Sequence, residues 1–135
     1  MFSLNKPSFQ QLARSLDASS LRQRVIANNI ANVDTPKFKK SFVEFESLLQ
    51  QELNSSSSIV GYRTNAKHFY IGASSQQILP QVVKDTHSVM NNNLNNVDID
   101  SEMALMAKNQ LTYNTEIQQV SHEIKQLRAS ITGGR

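Results

Sequence analysis

From Ile99 to Ile131 an apolar side chain recurs every three or four positions, and neither Pro nor Gly interrupts the run. The stripe reads Ile99, Met103, Met106, Gln110, Tyr113, Ile117, Val120, Ile124, Leu127, Ile131, with nine of ten positions apolar. A repeat of 3.5 belongs to a long helix that packs along a partner helix. Asp98 and Asp100 are placed to cap it, and Glu102 lies in the first turn, where the helix dipole favours an anion. Lys125 and Arg128 occupy the other end, and Gly133-Gly134 stops the helix. The pattern predicts a helix over about 99–132, roughly 48 Å long.

The other end of the chain carries a matching stripe. Phe9, Leu12, Leu16, Ser19, Gln23, Ile26, Ile30 and Val33 follow the same spacing, and six of these eight are apolar. Pro7 suits a first helical turn, and Pro36 pushes Thr35 out of the helical region, so this helix is predicted over about 7–34. Residues 37–96 between the stripes lack a sustained period. Phe45, Leu48, Leu49 and Leu53 predict a short helix near 43–53, and residues 54–58 read as a serine-rich linker. Ile59–Arg63, His68–Ile71 and Ile78–Val83 are β-prone, the last restricted to an edge or an extended arm by Pro80. Asp85–Asn96 is Asn-rich and reads as loop.

The expected fold is therefore mainly α. Residues 1–36 and 97–135 together form an antiparallel coiled-coil core, with residues 37–96 as an excursion. The expected seam comprises Phe9, Leu12, Leu16, Ile26, Ile30 and Val33 with Met103, Met106, Ile117, Val120, Ile124 and Leu127. Glu116 falls outside that stripe and reads as exposed. Two helices alone bury only one seam, which rarely stabilises a domain of this size, so further copies or partners are expected along the stripes.

Composition narrows the function. There is no Cys, which removes disulfides, thiolate metal sites and a cysteine nucleophile. His68, His87 and His122 share no metal-ligand spacing. Asp98-x-Asp100-x-Glu102 lacks the glycine and distant glutamate of a calcium loop, and no glycine-rich phosphate loop or flanked nucleophilic serine is present. No catalytic residue, metal or cofactor is expected. The net charge of +3 is too small to argue for nucleic acid. Arg14, Arg22, Arg24, Lys37, Lys39 and Lys40 could line a phosphate stripe, but without interleaved aromatics they read better as solvated or ion-paired between subunits. Apolar runs are too short to enter a bilayer, and MFSLNKPSFQQLARSL is not a cleavable export signal. Ser, Asn and Gln supply roughly a third of the residues, against 19% charged. Such a surface suits a chain covered by other polar protein surface.

The most informative segment is ANNIANVDTPKFKK, Ala27–Lys40. Asn28 and Asn32 share a helix face beside Ile26, Ile30 and Val33. Asn is a mediocre helix former, so Asn28, Asn29 and Asn32 cost stability unless their amides bond neighbouring backbones where helices crowd. A polar helix end is the plain alternative.

This segment resembles the N-terminal signature of bacterial flagellar rod and hook proteins, A-N-N-I-A-N-x-x-T-P-G-Y/F. The match runs through Asn28, Asn29, Ile30, Ala31, Asn32, Thr35, Pro36 and Phe38, with Lys37 where the family usually has Gly. Lys would resist a backbone geometry that Gly reaches freely. A second block, Asn96, Val97, Asp98, Asp100 and Glu102 continuing to Asn109, Leu111 and Tyr113, is similar to the C-terminal motif of the proximal rod proteins. Thr64–Phe69 matches loosely.

The resemblance implies a subunit of a helical, tubular assembly: the proximal rod of the flagellar basal body, which transmits torque and carries exported subunits. It implies a periplasm-spanning location reached without a cleaved signal, through the flagellar type III export machinery. Implied partners are further copies of itself, rod proteins such as FlgC and FlgF, and FliE and the MS-ring protein at the rod base. The alternatives are a coiled-coil export chaperone or adaptor and, within the family, the neighbouring rod protein FlgC.

Overall fold

A computed structural model describes residues 7–55, 65, 79–88, 90 and 94–133. Five elements follow in order: α1 (Pro7–Ala31), β1 (Ser41–Glu44), α2 (Glu46–Ser55), β2 (Gln81–Lys84) and α3 (Ile99–Thr132). The β-prone pieces Ile59–Arg63 and His68–Ile71, and the loosely matching Thr64–Phe69 apart from Asn65, lie outside the described residues.

Local chemistry sets the ends of α3. Asp98 is extended, at φ −106°, and its carboxylate accepts the Asp100 N–H at 3.1 Å. Gly133 closes the other end at φ +70°, where its N–H donates to the Ala129 carbonyl. That left-handed conformation costs a residue without a Cβ little. Asp100 sits in the first turn and is not the cap.

Helix α1 stops at Ala31, three residues before the expected Asp34. The chain then tightens into three-residue turns, with Asn32 N–H on the Asn29 carbonyl at 3.1 Å and Val33 N–H on Ile30 at 3.3 Å. Thr35-Pro36-Lys37-Phe38 forms the next turn, closed by Phe38 N–H on the Thr35 carbonyl at 3.3 Å. Pro at the second position and φ +60° at the third mark a type II turn. Lys37 therefore adopts the conformation that the family's glycine would favour, despite its Cβ.

The short helix begins later than its apolar spacing predicts. Residues 41–44 form β1, and α2 starts at Glu46, its first bond running from Leu49 N–H to the Phe45 carbonyl at 2.8 Å. Phe42 and Val43 favour extended backbone, and pairing with β2 decides the matter. The strands are antiparallel, with Ser41 opposite Lys84 and Glu44 opposite Gln81. Pro80 immediately precedes β2, where its missing N–H costs no ladder bond. Asn54 and Ser55, expected in the linker, continue α2.

Helices α1 and α3 run antiparallel, so Asn29 meets Glu102, Gln23 meets Gln110 and Ser15 meets Glu116. Among the described residues the core holds Ala18, Ile26, Val43, Phe45 and Val97, with Ser19, Asn29, Asn95, Asn96, Glu102 and Asn109 equally buried. Polar residues outnumber apolar ones in this core. Hydrogen-bond geometry, more than apolar area, therefore fixes how the parts fit.

Candidate functional site

The face that α3 buries is not its apolar stripe. Its buried and half-buried residues run Glu102, Met106, Asn109, Tyr113, Glu116, Val120, Glu123 and Leu127. Met106, Val120 and Leu127 belong to the expected seam and Tyr113 to the apolar stripe, but the alternate positions are polar. The residues one step further on, Met103, Ile117, Ile124 and Ile131, are 40–84% exposed. The helix thus has two adjacent seams that share one row. Helix α1 occupies the polar one, and the apolar one faces outward. On α1, Ile26 is buried, and Phe9, Leu12, Leu16, Ile30 and Val33 are half-buried.

Glu116 is accordingly not an exposed position. It is half-buried, its Oε1 accepts the Ser15 hydroxyl, and its Oε2 is buried without a partner among the described residues. Asn109 donates to the Ser19 carbonyl at 2.9 Å, while its own Oδ1 is likewise unmatched. The neighbouring motif residue Leu111 is exposed, and Tyr113 is half-buried.

At the strand end, amides knit the molecule together. Asn29 is fully engaged: it donates to the Ser41 carbonyl at 2.8 Å and Glu102 Oε2 at 3.0 Å, and accepts the Ser41 N–H at 3.0 Å. One side chain thereby imitates a strand neighbour for β1 and anchors α3 to α1. Asn95 reaches back to the end of α1, its amide nitrogen 2.8–3.0 Å from the carbonyls of Asn32, Val33 and Thr35. Those carbonyls lack helical partners, so the amide serves as a C-terminal cap supplied from elsewhere in the chain. Its Oδ1 takes the Val97 N–H at 2.7 Å. Asn96 accepts the Lys40 N–H at 2.7 Å and donates to the Asp85 carbonyl and the Ser88 hydroxyl.

The other signature asparagines contribute less. Asn32 donates to the Asn28 carbonyl at 2.8 Å and accepts the Thr35 hydroxyl at 3.2 Å, a local brace at the helix end. Asn28 is exposed, as are Ala31, Thr35 and Pro36, while Phe38 is half-buried. Asn29 works inside its own chain, whereas the sequence reading placed all three amides together between crowded helices. Asn95 has no place in either motif because Asp85–Asn96 is irregular, and Asn96 enters only as the first residue of the C-terminal motif. Their signal was position: an amide pair one residue before the Asp98 cap.

A few charges are matched nearby. Arg22 makes a two-pronged pair with Glu46 at 2.7 and 2.8 Å, and Lys39 donates to the Ser88 carbonyl at 2.7 Å. Hydrogen bonds from the Ser88 hydroxyl and N–H, then from His87 N–H, hold the Asp85 carboxyl below the usual range, with help from nearby Lys40. Among the described residues no cluster of His, Asp or Glu could hold a metal ion, and no helix is long and apolar enough to cross a membrane.

Comparison with known proteins fits this geometry. Residues 10–39, which hold the α1 stripe and the Asn29 anchor, match the family model "Flagella basal body rod protein". The chain is 34% identical over 133 residues to the flagellar basal body rod protein FlgB of Bacillus subtilis, covering 98% of this chain and 99% of that one. It is 41% identical over 118 residues to FlgB of Borreliella burgdorferi, covering 84% and 87% of the two chains. It is 30% identical over 124 residues to FlgB of Escherichia coli, covering 87% and 86%. With such likeness along nearly the whole chain, it belongs to the FlgB family of flagellar basal body rod proteins.

Proposed function

We propose that the chain is a structural, non-catalytic subunit of the proximal flagellar rod, associating through its terminal helices into the tube around the axial channel. The observation that carries this reading is the outward apolar stripe of α3. A 34-residue helix turns Met103, Ile117, Ile124 and Ile131 to solvent while holding α1 by its polar neighbours. Apolar surface arranged at a heptad period calls for another helix. In the rod, neighbouring copies and other rod proteins such as FlgC and FlgF would cover it, with FliE and the MS-ring protein below. Delivery would use the flagellar type III export machinery, and the packed tube would transmit torque.

Ile117→Asp tests the reading. The side chain is exposed in the single chain, so its folding stability should change by less than about 0.5 kcal/mol. In an assembly the carboxylate would be desolvated without a partner, costing several kcal/mol. Urea midpoints should match those of the parent, while rod assembly and swimming are lost. Normal swimming by the Ile117→Asp strain would remove the assignment of this stripe.

A further inference from the structure

The stripe does not exhaust the open surface. A groove of about 400 Å³ lies at the strand end between α1, β1 and α3. Ile26 and Val43 belong to the buried core beneath it, and Val25, Phe42 and Leu105 add apolar wall, the last two more than two-fifths exposed. Its charges are unequally answered. Arg22 is bound by Glu46, and Lys40 stands near Asp85. Glu102 lines the same groove, is 97% removed from solvent, and bonds the Asn29 amide, with no cation within 4.0 Å among the described residues.

The complementary feature lies at the far end of the same chain. Asn29 meets Glu102 and Ser15 meets Glu116, so Pro7 falls level with Ile124. The rest of α3 continues about 12 Å past Pro7. On this last stretch of α3, beyond the level of the first described residue of α1, Ile124, Arg128 and Ile131 share one face, and all three are exposed. Arg128 has no carboxylate partner among the described residues.

We propose that the α3 tip of one copy docks into the strand-end groove of the next, with Ile124 and Ile131 on the Phe42–Leu105 wall and the Arg128 guanidinium directed at Glu102. The inference rests on the reading that copies of this chain associate. It adds a head-to-tail contact in which the last two isoleucines of the stripe, Ile124 and Ile131, meet a groove, leaving Met103 and Ile117 to lateral neighbours. Because the two surfaces differ, the contact is heterologous and propagates instead of closing into a dimer.

The chain has no Cys, which permits a clean test. Leu105→Cys and Ile131→Cys variants are mixed at high concentration and oxidised with copper phenanthroline, with sedimentation recording association. The expected result is a 105–131 disulfide dimer from the mixture and a ladder of multimers from the double variant. Adding Arg128→Glu should lower the linked yield about tenfold, and Arg128→Lys should largely restore it. Predominant 131–131 or 105–105 links, or association without any 105–131 link, would overturn the head-to-tail contact and leave the rod reading standing. Absence of association at every concentration would overturn both.

Discussion

At the strand end of the helix pair, Asn29, Asn95, Asn96 and Glu102 are almost wholly buried: Asn29 bonds Glu102, Asn95 bonds the end of α1, and Asn96 bonds the Lys40 N–H. Beyond Asn109, α3 buries none of its described residues to that degree, and its isoleucines face outward. The two halves therefore obtain their order differently. The first is a single-chain structure in which directional bonds hold three separate segments in register. The second presents apolar surface that one chain cannot cover. The lesson concerns what each residue type specifies: amides that must be matched atom by atom fix a subunit's internal geometry, while a helical apolar row accepts another helix.

The strongest way to break this contrast is Asn29→Ala. It removes the donor to Glu102 and both bonds to Ser41, leaving a buried carboxylate and two backbone groups without partners. The expected loss is about 3–5 kcal/mol, read as a fall in the urea midpoint and faster amide exchange at Ser41. Asn28→Ala, one residue away but exposed, should be neutral or stabilising by about 0.5 kcal/mol, since Ala is the better helix former. Equal effects at the two positions would mean that the strand end is not ordered by the Asn29 bonds.

Next in size is Asn95→Ala. The Val33 carbonyl loses this donor, and the Asn32 and Thr35 carbonyls keep only their turn N–H bonds, so about 1–3 kcal/mol is expected. Amide exchange should quicken around residues 32–38 before it does so in the middle of α1. Uniform quickening along the whole helix would argue against a cap.

These two residues also show what was legible in the sequence. Periodicity and caps located both long helices because each position of a stripe repeats the same information. The extent of α3 and the strong signature at Asn29 were readable on those terms. Which side of α3 meets α1 was not readable. The apolar row at Met103, Ile117 and Ile124 is the stronger pattern, yet α1 takes the adjacent row through Glu102, Asn109 and Glu116. Periodicity reports that a helix face will be covered, not by which chain. Asn95, and the bonds that Asn96 makes, were hidden for another reason. Their partners lie 8–63 residues away in irregular backbone, apart from the local bond to Val97, and no period marks such contacts. Strand β1 was masked by apolar residues that fit a helix equally well, until pairing with β2 decided between them.

A smaller effect sharpens the same comparison at the edge of the strand end. Lys37 holds φ +60° in the Thr35–Phe38 turn, a conformation that costs a residue with a Cβ about 1 kcal/mol. Lys37→Gly should raise stability by roughly 0.5 kcal/mol at most, after the greater freedom of Gly in the unfolded chain is counted. Lys37→Ala keeps the Cβ and removes the charge, so it should give no such gain. A gain with Ala equal to that with Gly would trace the effect to charge and not to backbone conformation.

The smallest expected effect is the pH dependence contributed by Asp85, which ties the loop after β2 to the strand end. Bonds from Ser88 and His87 hold its carboxyl below the ordinary aspartate value of about 3.9. Between the depressed folded value and the ordinary unfolded one, the unfolded chain binds more protons, so stability rises with pH across that window. The contribution is complete above the unfolded value and disappears as pH falls through the folded one. Asp85→Asn should therefore be less stable than the parent at neutral pH, with the gap narrowing on acidification until the two denaturation midpoints converge. A gap that stays constant from neutral to strongly acid pH would show that the variant loses packing and not a charge-assisted bond. Loss of the loop's tie to Asn96 should then appear as faster exchange at Lys40, whose N–H that amide accepts at 2.7 Å.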